Sequence, residues 1–524
     1  MRFLFLLSFC TALLFGKDAF SNHLSWKATE ICQNHAKKNE LIKGVCENNL
    51  SLIKEAVNKG ADINKPIGDS YSKMPPIVLS TALNFPLVVE ALANLGADIG
   101  GTGDVYDFGK IFPLYVAAYD ANLEVANTLL SKGANVNQLL IGTGATALHA
   151  LVRNEESDLA AVKELIKVFL SYGAKIDSKN ENGNTPLAIA TYVGRPEVLK
   201  TLLEQGGKVS DTFNGTPLII YSSGDCNLEA VKILIGAGAD VNSLGPKNTT
   251  ALIAVSQSNI FSEIKKRNCV ETLNLLFASG YHGVDLRESD GQTALMKAAL
   301  NHLSMTEIIK VIIRAGANLD LQDKKGNTAL HLTADVSEGD RMYREGIALI
   351  EAGAALNFQN IEGDTPLHLA IRSLSDELAS ALISKGANLN VENVEHHRAL
   401  NEANYNSRFN IFQQLIKAGA EINYLDGRKV APLHYAVRNG EKYVKALLDG
   451  GADINIRTGP SDGWNPGLLT PLMIAARDGE LDVVRLLIRA GADINLRNSR
   501  GHTALKMANN DGVREVIQKA GGIE

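Results

Sequence analysis

The chain has 524 residues, with 52 Lys and Arg against 58 Asp and Glu, a formal net charge of −6. That balance gives neither nucleic acid nor an anionic membrane a basic face to bind. Hydrophobic residues make up 45% of the chain and aromatic residues only 6%, so Leu, Ile, Val and Ala must build the core.

The N-terminus differs from the rest. Met1-Arg2 is a short basic start, residues 3–15 form an apolar run of 13, and Ala19-Phe20-Ser21 is an acceptable small-x-small cleavage site. Residues 1–21 therefore read as a secretory signal peptide, with cleavage after Ser21 and a secreted or periplasmic mature chain. A bilayer-spanning helix needs about 20 apolar residues, so stable membrane insertion is not expected. An uncleaved anchor is the alternative. Cys10 leaves with the signal, and Cys32, Cys46, Cys226 and Cys269 remain for an oxidising compartment.

Residues 22–39 are expected to form an N-terminal capping segment. From Gly60-Ala61-Asp62-Ile63-Asn64 to Gly491-Ala492-Asp493-Ile494-Asn495 a five-residue signature recurs in steps of 32 to 42 residues. About 12 residues after most of these glycines comes a second signal, as in Thr185-Pro186-Leu187 and Thr365-Pro366-Leu367-His368, and after a longer spacing in Thr470-Pro471-Leu472. Thr is a good N-cap, and Pro at the first helical position loses no needed hydrogen bond, so each Thr-Pro-Leu opens a helix. A second apolar stripe comes next at helical spacing, for example Leu481-Val483-Val484-Leu486-Leu487. Gly491 then closes that helix, being suited to a left-handed C-cap. Segments such as Lys179-Asn180-Glu181-Asn182-Gly183-Asn184 are turn formers and predict a β-hairpin finger.

A unit of about 33 residues with the pattern T-P-L-H-x-A resembles the ankyrin repeat. The resemblance covers residues 40–524. It implies an all-α solenoid of stacked helix-turn-helix units with β-hairpin fingers: about 13 repeats over 40–495 and a C-terminal capping repeat over 496–524. One unit cannot bury its own apolar face, so neighbours stack.

Cys32 and Cys46 would lie about 21 Å apart on one continuous helix, so they pair only across a helix-turn-helix. Cys226 and Cys269 stand 12 and 11 residues before Gly238 and Gly280, nearly equivalent positions in adjacent repeats. Two disulfides are expected, Cys32 to Cys46 and Cys226 to Cys269; four buried reduced thiols are the alternative. Three fingers are longer than the rest: 15 residues from Gly60 to Pro75, 16 from Gly96 to Phe112 and 19 from Gly451 to Thr470. Three extra lengths after Thr146, Thr250 and Thr328 predict grown loops between the two helices.

Several segments imitate catalytic motifs. Gly459-Pro460-Ser461-Asp462-Gly463 matches G-x-S-x-G but lies in a finger, without the strand and helix that motif requires. Gly142-Thr143-Gly144-Ala145-Thr146-Ala147 is a finger running into a helix start, with no parallel-sheet unit around it. His396-His397 diverge on regular structure, and the resemblance makes His149, His331, His368 and His434 structural. No catalytic, metal or cofactor site is expected. The resemblance implies protein binding through the finger tips and the concave face, whose exposed positions lie seven and eight residues after the Thr. These include Tyr119, Arg153, Tyr192, Arg372, Tyr405, Arg438 and Arg477. Arg372, Tyr405, Arg438 and Arg477 form a row over four successive repeats, and Tyr and Arg are enriched in interface hot spots. The expectation is an exported, monomeric scaffold whose groove takes a protein partner with an acidic segment, with Tyr424 and Trp464 on its finger side. The alternatives are an envelope-associated structural protein held by an uncleaved N-terminus, and an enzyme with an unrecognised site.

Overall fold

The computed structural model describes residues 19–524 except 70–71, 106–108, 302, 304, 336–342 and 461–466, and except the side chains of 19–22. Most of the expected signal peptide, residues 1–18, lies outside the described residues, as does Trp464. The helix Ala19–His35 begins in the last residues of that segment and runs on through most of the expected cap.

Most Thr-marked repeats begin as their residues dictate; Thr216-Pro217-Leu218 does not, because Thr216 and Pro217 are drawn into a strand and the helix starts only at Leu218. Thr185 is extended (φ −88°, ψ 164°), its hydroxyl accepts from the Ala188 N–H at 3.2 Å, and Pro186 opens the helix Pro186–Val193. The second helix, Pro196–Glu204, buries Val198, Leu199 and Leu202 completely. Gly206 ends it at φ +99°, a conformation that a Cβ would strain. First helices pack on first helices of the neighbouring repeats and second on second. The chain forms two compact units, residues 1–258 with 267–282, and residues 259–266 with 283–524.

The recurring signature also stitches repeats together. Asn64 Oδ1 accepts the Asp98 N–H at 2.8 Å, Asn357 accepts the Asn388 N–H at 2.7 Å and Asn495 accepts the Ile523 N–H at 2.9 Å. Its last residue thus joins the segment after one glycine to the segment after the next. Periodicity alone marked only the helix end.

The fingers are mostly turns rather than hairpins. In residues 358–365, Asn360 Oδ1 accepts the N–H groups of Glu362 and Asp364, and Gly363 supplies φ +72°. The side chain thereby replaces ladder bonds that strands would make. A four-stranded sheet forms where the first two fingers are long. β1 (Ile67–Gly68), β2 (Ser72–Met74), β3 (Gly103–Val105) and β4 (Gly109–Ile111) make one antiparallel sheet in that order, with Ser72 opposite Val105. The first two elongated fingers have therefore zipped together. A shorter hairpin pairs β5 (Thr212–Phe213) with β6 (Thr216–Pro217).

The expected inter-helix loops need correction at two of the three places. After Thr146 the second helix, Leu159–Ser171, has 13 residues, and after Thr250 it is Glu263–Ala278 with 16, against nine in Pro196–Glu204. The extra residues are largely helix. Asp158 caps the first of these by accepting from the Ala161 N–H at 2.9 Å, and good helix formers come after it. The third insertion falls mainly on residues 336–342, outside the described residues.

Both cysteine pairs are brought together. The helix Ala19–His35 and the helix Glu40–Cys46 set Cys32 and Cys46 with Cα atoms 5.6 Å apart, and Cys226 and Cys269 lie at 4.7 Å. Both distances suit a disulfide.

Candidate interaction surface

First helices bury most of their length and expose their last residues. In Pro366–Arg372 the six residues before Arg372 are buried, and in Ala399–Tyr405 the six before Tyr405 are buried while Tyr405 is 79% exposed. The helices Pro432–Asn439 and Pro471–Asp478 bring Arg438 and Arg477 to equivalent places.

The structure joins this row through side chains. Arg372 donates to both oxygens of Asp364, at 2.7 and 3.1 Å, and to Glu402 Oε1 of the next repeat at 2.9 Å. Asn439 Nδ2 reaches Asn404 Oδ1 at 2.8 Å, tying the repeats of Tyr405 and Arg438. Arg438 Nε and Arg477 Nε both donate to Asp478, at 3.0 and 2.8 Å. Four consecutive repeats therefore carry one continuous polar strip.

The same contacts correct the charge expectation. The guanidinium groups of Arg372, Arg438 and Arg477 face the carboxylates of Asp364, Glu402 and Asp478, three against three. Asp364 and Glu402 are almost fully buried, so a displaced arginine would leave uncompensated charge behind. The strip is neutral and does not of itself favour an acidic partner. Burial works against the charged form of Glu402, but hydrogen bonds from His397 and Arg372 outweigh it and bring its pKa down to about 2. His397 is raised chiefly by its bond to Glu402, at 3.3 Å, with burial opposing. Within-chain comparison holds the missed signal: Glu402 stands four residues after the helix N-cap, where Leu369, Leu332 and Ile474 stand in other repeats.

Glu395, His397 and Glu402 could each offer one ligand atom within 4.8 Å of the others. Glu402 Oε1 already accepts from Arg372, so a metal ion there would compete with a guanidinium. Tyr424 is not a contact residue. It is 5% exposed, with the Arg398 guanidinium 3.8 Å above its ring, and burial pushes its phenol strongly upward.

The four motif histidines are engaged at both nitrogens. His331 Nδ1 accepts from the Thr328 N–H at 3.1 Å, and its Nε2 meets the Asp364 carbonyl of the next repeat at 3.1 Å. His434 repeats this between the Ala431 N–H, at 3.1 Å, and the Leu469 carbonyl, at 3.0 Å. Since a backbone N–H can only donate, the proton must sit on Nε2.

In the first unit, Tyr119, Arg153 and Tyr192 occupy the corresponding first-helix ends. Arg153 is exposed and forms no ion pair among the described residues. Tyr192 gathers with Phe213 and Tyr221. None of the helices among the described residues is long and apolar enough to cross a membrane.

Among known proteins, the Ankyrin repeat and KH domain-containing protein mask-1 of Caenorhabditis elegans is 29% identical over 44% of this chain and 8% of its own length. The Putative ankyrin repeat protein FPV014 of fowlpox virus is 31% identical over 25% of this chain and 28% of its own. The E3 ubiquitin-protein ligase KEG of Arabidopsis thaliana is 24% identical over 58% of this chain and 18% of its own. The chain spans under a third of each of these relatives. The crystal structure of the human ASB11 ankyrin repeat domain is matched over 100% of its length and 44% of this chain, at 26% identity and a TM-score of 0.37. A family model described as ankyrin repeats in three copies matches residues 114–212, 263–340, 346–426 and 433–523. These stretches take in more than half of the chain, which therefore belongs to the ankyrin repeat family.

Proposed function

We propose that this chain is an exported ankyrin repeat scaffold that binds a protein partner through the ends of its first helices and the adjoining fingers. The observation that carries the reading is Tyr405, 79% exposed in the middle of a strip that side-chain contacts order across four repeats. An exposed aromatic ring held on a rigid element and flanked by arginines is the composition of an interface hot spot. The neutral strip favours a partner that satisfies Arg438 and stacks on Tyr405, rather than one drawn by net charge. Binding, not catalysis, is the role proposed, and the named activities of the relatives are not carried over.

A photo-reactive residue at Tyr405 or Arg438 should cross-link a partner, whereas one at Lys417, at the exposed end of a second helix, should not. Combined Tyr405→Ala and Arg438→Ala should weaken capture by about tenfold or more. Cross-linking only at Lys417 would sink the reading. Export is tested by fractionation and N-terminal sequencing, with Asn22 expected as the first residue. A chain retained in the membrane fraction with Met1 intact would favour the envelope-anchored alternative.

A further inference from the structure

The strip through Arg372, Tyr405, Arg438 and Arg477 is neutral as a whole, but its charges are unevenly placed. At one end a single guanidinium serves two carboxylates: Arg372 Nη1 and Nη2 donate to Asp364, and Nη2 also reaches Glu402. At the other end two guanidinium groups share one carboxylate. Arg438 Nε donates to Asp478 Oδ2 at 3.0 Å, and Arg477 Nε donates to Asp478 Oδ1 at 2.8 Å. Asp478 is the only carboxylate among the described residues that pairs with either arginine. These three groups together carry one net positive charge.

Their donors are unevenly used as well. A guanidinium has five N–H donors, one on Nε and four on its terminal nitrogens. Arg372 commits both terminal nitrogens, whereas Arg438 and Arg477 bond, among the described residues, through Nε alone. The shared Asp478 holds the two groups beside each other on helices of adjacent repeats, Pro432–Asn439 and Pro471–Asp478. The Arg438 side chain is 69% exposed and that of Arg477 35%, so solvent reaches both. Two fixed guanidinium groups with unused terminal donors are matched by an oxyanion that can accept from both. A carboxylate brings one negative charge and cancels the surplus, whereas a phosphate monoester, at about −1.5 to −2, would exceed it.

We propose that Arg438 and Arg477 form a clamp for one Asp or Glu side chain of the partner protein, with Asp478 as the fixed spacer between them. This rests on the protein-binding reading above and gives it a chemistry: a single carboxylate read by two neighbouring arginines, not an acidic segment drawn by net charge. The planar fork of each guanidinium suits a carboxylate better than a lysine ammonium would.

The probes are three fluorescent heptapeptides of Gly and Ser that carry tryptophan, to stack on Tyr405, and a nearby glutamate, glutamine or phosphoserine, titrated against the full mature chain at 0.15 M salt. The glutamate peptide should bind about fivefold more tightly than the glutamine peptide, the scale of two exposed ion pairs, and at least as tightly as the phosphoserine peptide. Arg438→Gln or Arg477→Gln should each remove most of that preference, and Arg438→Lys, which keeps the charge but not the fork, should restore only part of it. Asp478→Asn frees both Nε donors and should raise the glutamate preference about twofold, a gain that damage to the fold does not produce. Lys417→Gln should change nothing. Equal binding of glutamate and glutamine peptides, a preference untouched by Arg438→Gln, or the same loss in Lys417→Gln overturns the inference. A phosphoserine peptide bound about tenfold more tightly than the glutamate peptide overturns the carboxylate assignment in favour of phosphate. Any of these results with cross-links at Tyr405 intact overturns the clamp only. Cross-links confined to Lys417 overturn the broader reading and the clamp with it.

Discussion

Two kinds of histidine in this chain pull stability in opposite directions with pH. His434 is buried between a backbone donor on Nδ1 and a carbonyl on Nε2, and burial, partly offset by its backbone bonds, lowers its pKa to about 4. A depressed base contributes stability above its unfolded pKa of about 6.5 and loses it as pH falls toward the folded value. The full difference is about 3 kcal/mol for His434, since each pKa unit is about 1.4 kcal/mol. His149, His331 and His368 are lowered by burial in the same sense. His397 is raised by Glu402, so its contribution is complete below about pH 6.5 and fades as pH rises through its folded pKa. Asn401 already does in its own repeat what His434 does in the next, accepting the Arg398 N–H at 3.2 Å. His434→Asn should therefore cost only about 1–2 kcal/mol at pH 7 and flatten the loss of stability between pH 6.5 and 4. Denaturant midpoints across that range check it, and an unchanged acid limb would count against the assignment. Glu402→Gln should cost about 3 kcal/mol by leaving Arg372 and His397 short of a buried counter-charge. It should also lower the His397 pKa, read from its ring resonances. Three of the motif histidines were legible from Thr-x-x-His spacing and His434 from Pro-Leu-His, but the Arg372 network was not, because Asp364 and Glu402 lie 38 residues apart in the chain and meet only through stacking.

The elements show where length is an ambiguous signal. Finger length was readable from the distance between glycine and Thr, and the two longest N-terminal fingers do extend into strands. That they pair with each other depends on two neighbouring insertions being long at once, which no single repeat reveals. Extra length between helices was misleading, because a count of residues does not distinguish a loop from added helix; Asp158 ahead of Leu159-Ala160-Ala161 was the local cue. In the finger sheet, Asp104 stands opposite Lys73 on one side and opposite Lys110 on the other. All three are exposed, so they form a plus-minus-plus line across the strands. Asp104→Lys replaces two favourable oppositions with two like-charge ones and should cost about 1–2 kcal/mol. Raising salt to 0.5 M should recover part of that loss, since exposed charges are screened over less than a nanometre. A variant whose deficit is the same at both salt concentrations would show that packing, not charge, sets the register.

At the scale of the whole chain, stability is local because each repeat packs chiefly on its neighbours. That changes what the cysteines do. All four described cysteines lie in residues 32–269, and none lies in the repeats from Gly283 onward. Cys32 and Cys46 close a loop of 14 residues at the entry of the array, and Cys226 and Cys269 close one of 43 across adjacent repeats. In the chain-entropy account these contribute about 3 and about 4 kcal/mol if oxidised. A cross-link within a globular domain raises the stability of the whole domain, whereas in a stack it protects the repeats it joins and their near neighbours. Reduction should therefore raise amide exchange most in Glu40–Cys46, Leu228–Gly236 and Glu263–Ala278, with little change in Pro432–Asn439 or Leu481–Arg489. Hydrogen exchange with and without reductant, resolved by peptide, makes the comparison. Uniform loss of protection from residue 40 to residue 519 would contradict nearest-neighbour behaviour, and no change anywhere would mean that the four thiols are free in the mature protein. The pattern expected here would join export to architecture: an oxidising destination strengthens the repeats that the cysteines join, while the Arg372 to Arg477 strip, which holds no cysteine, depends on its own side-chain contacts.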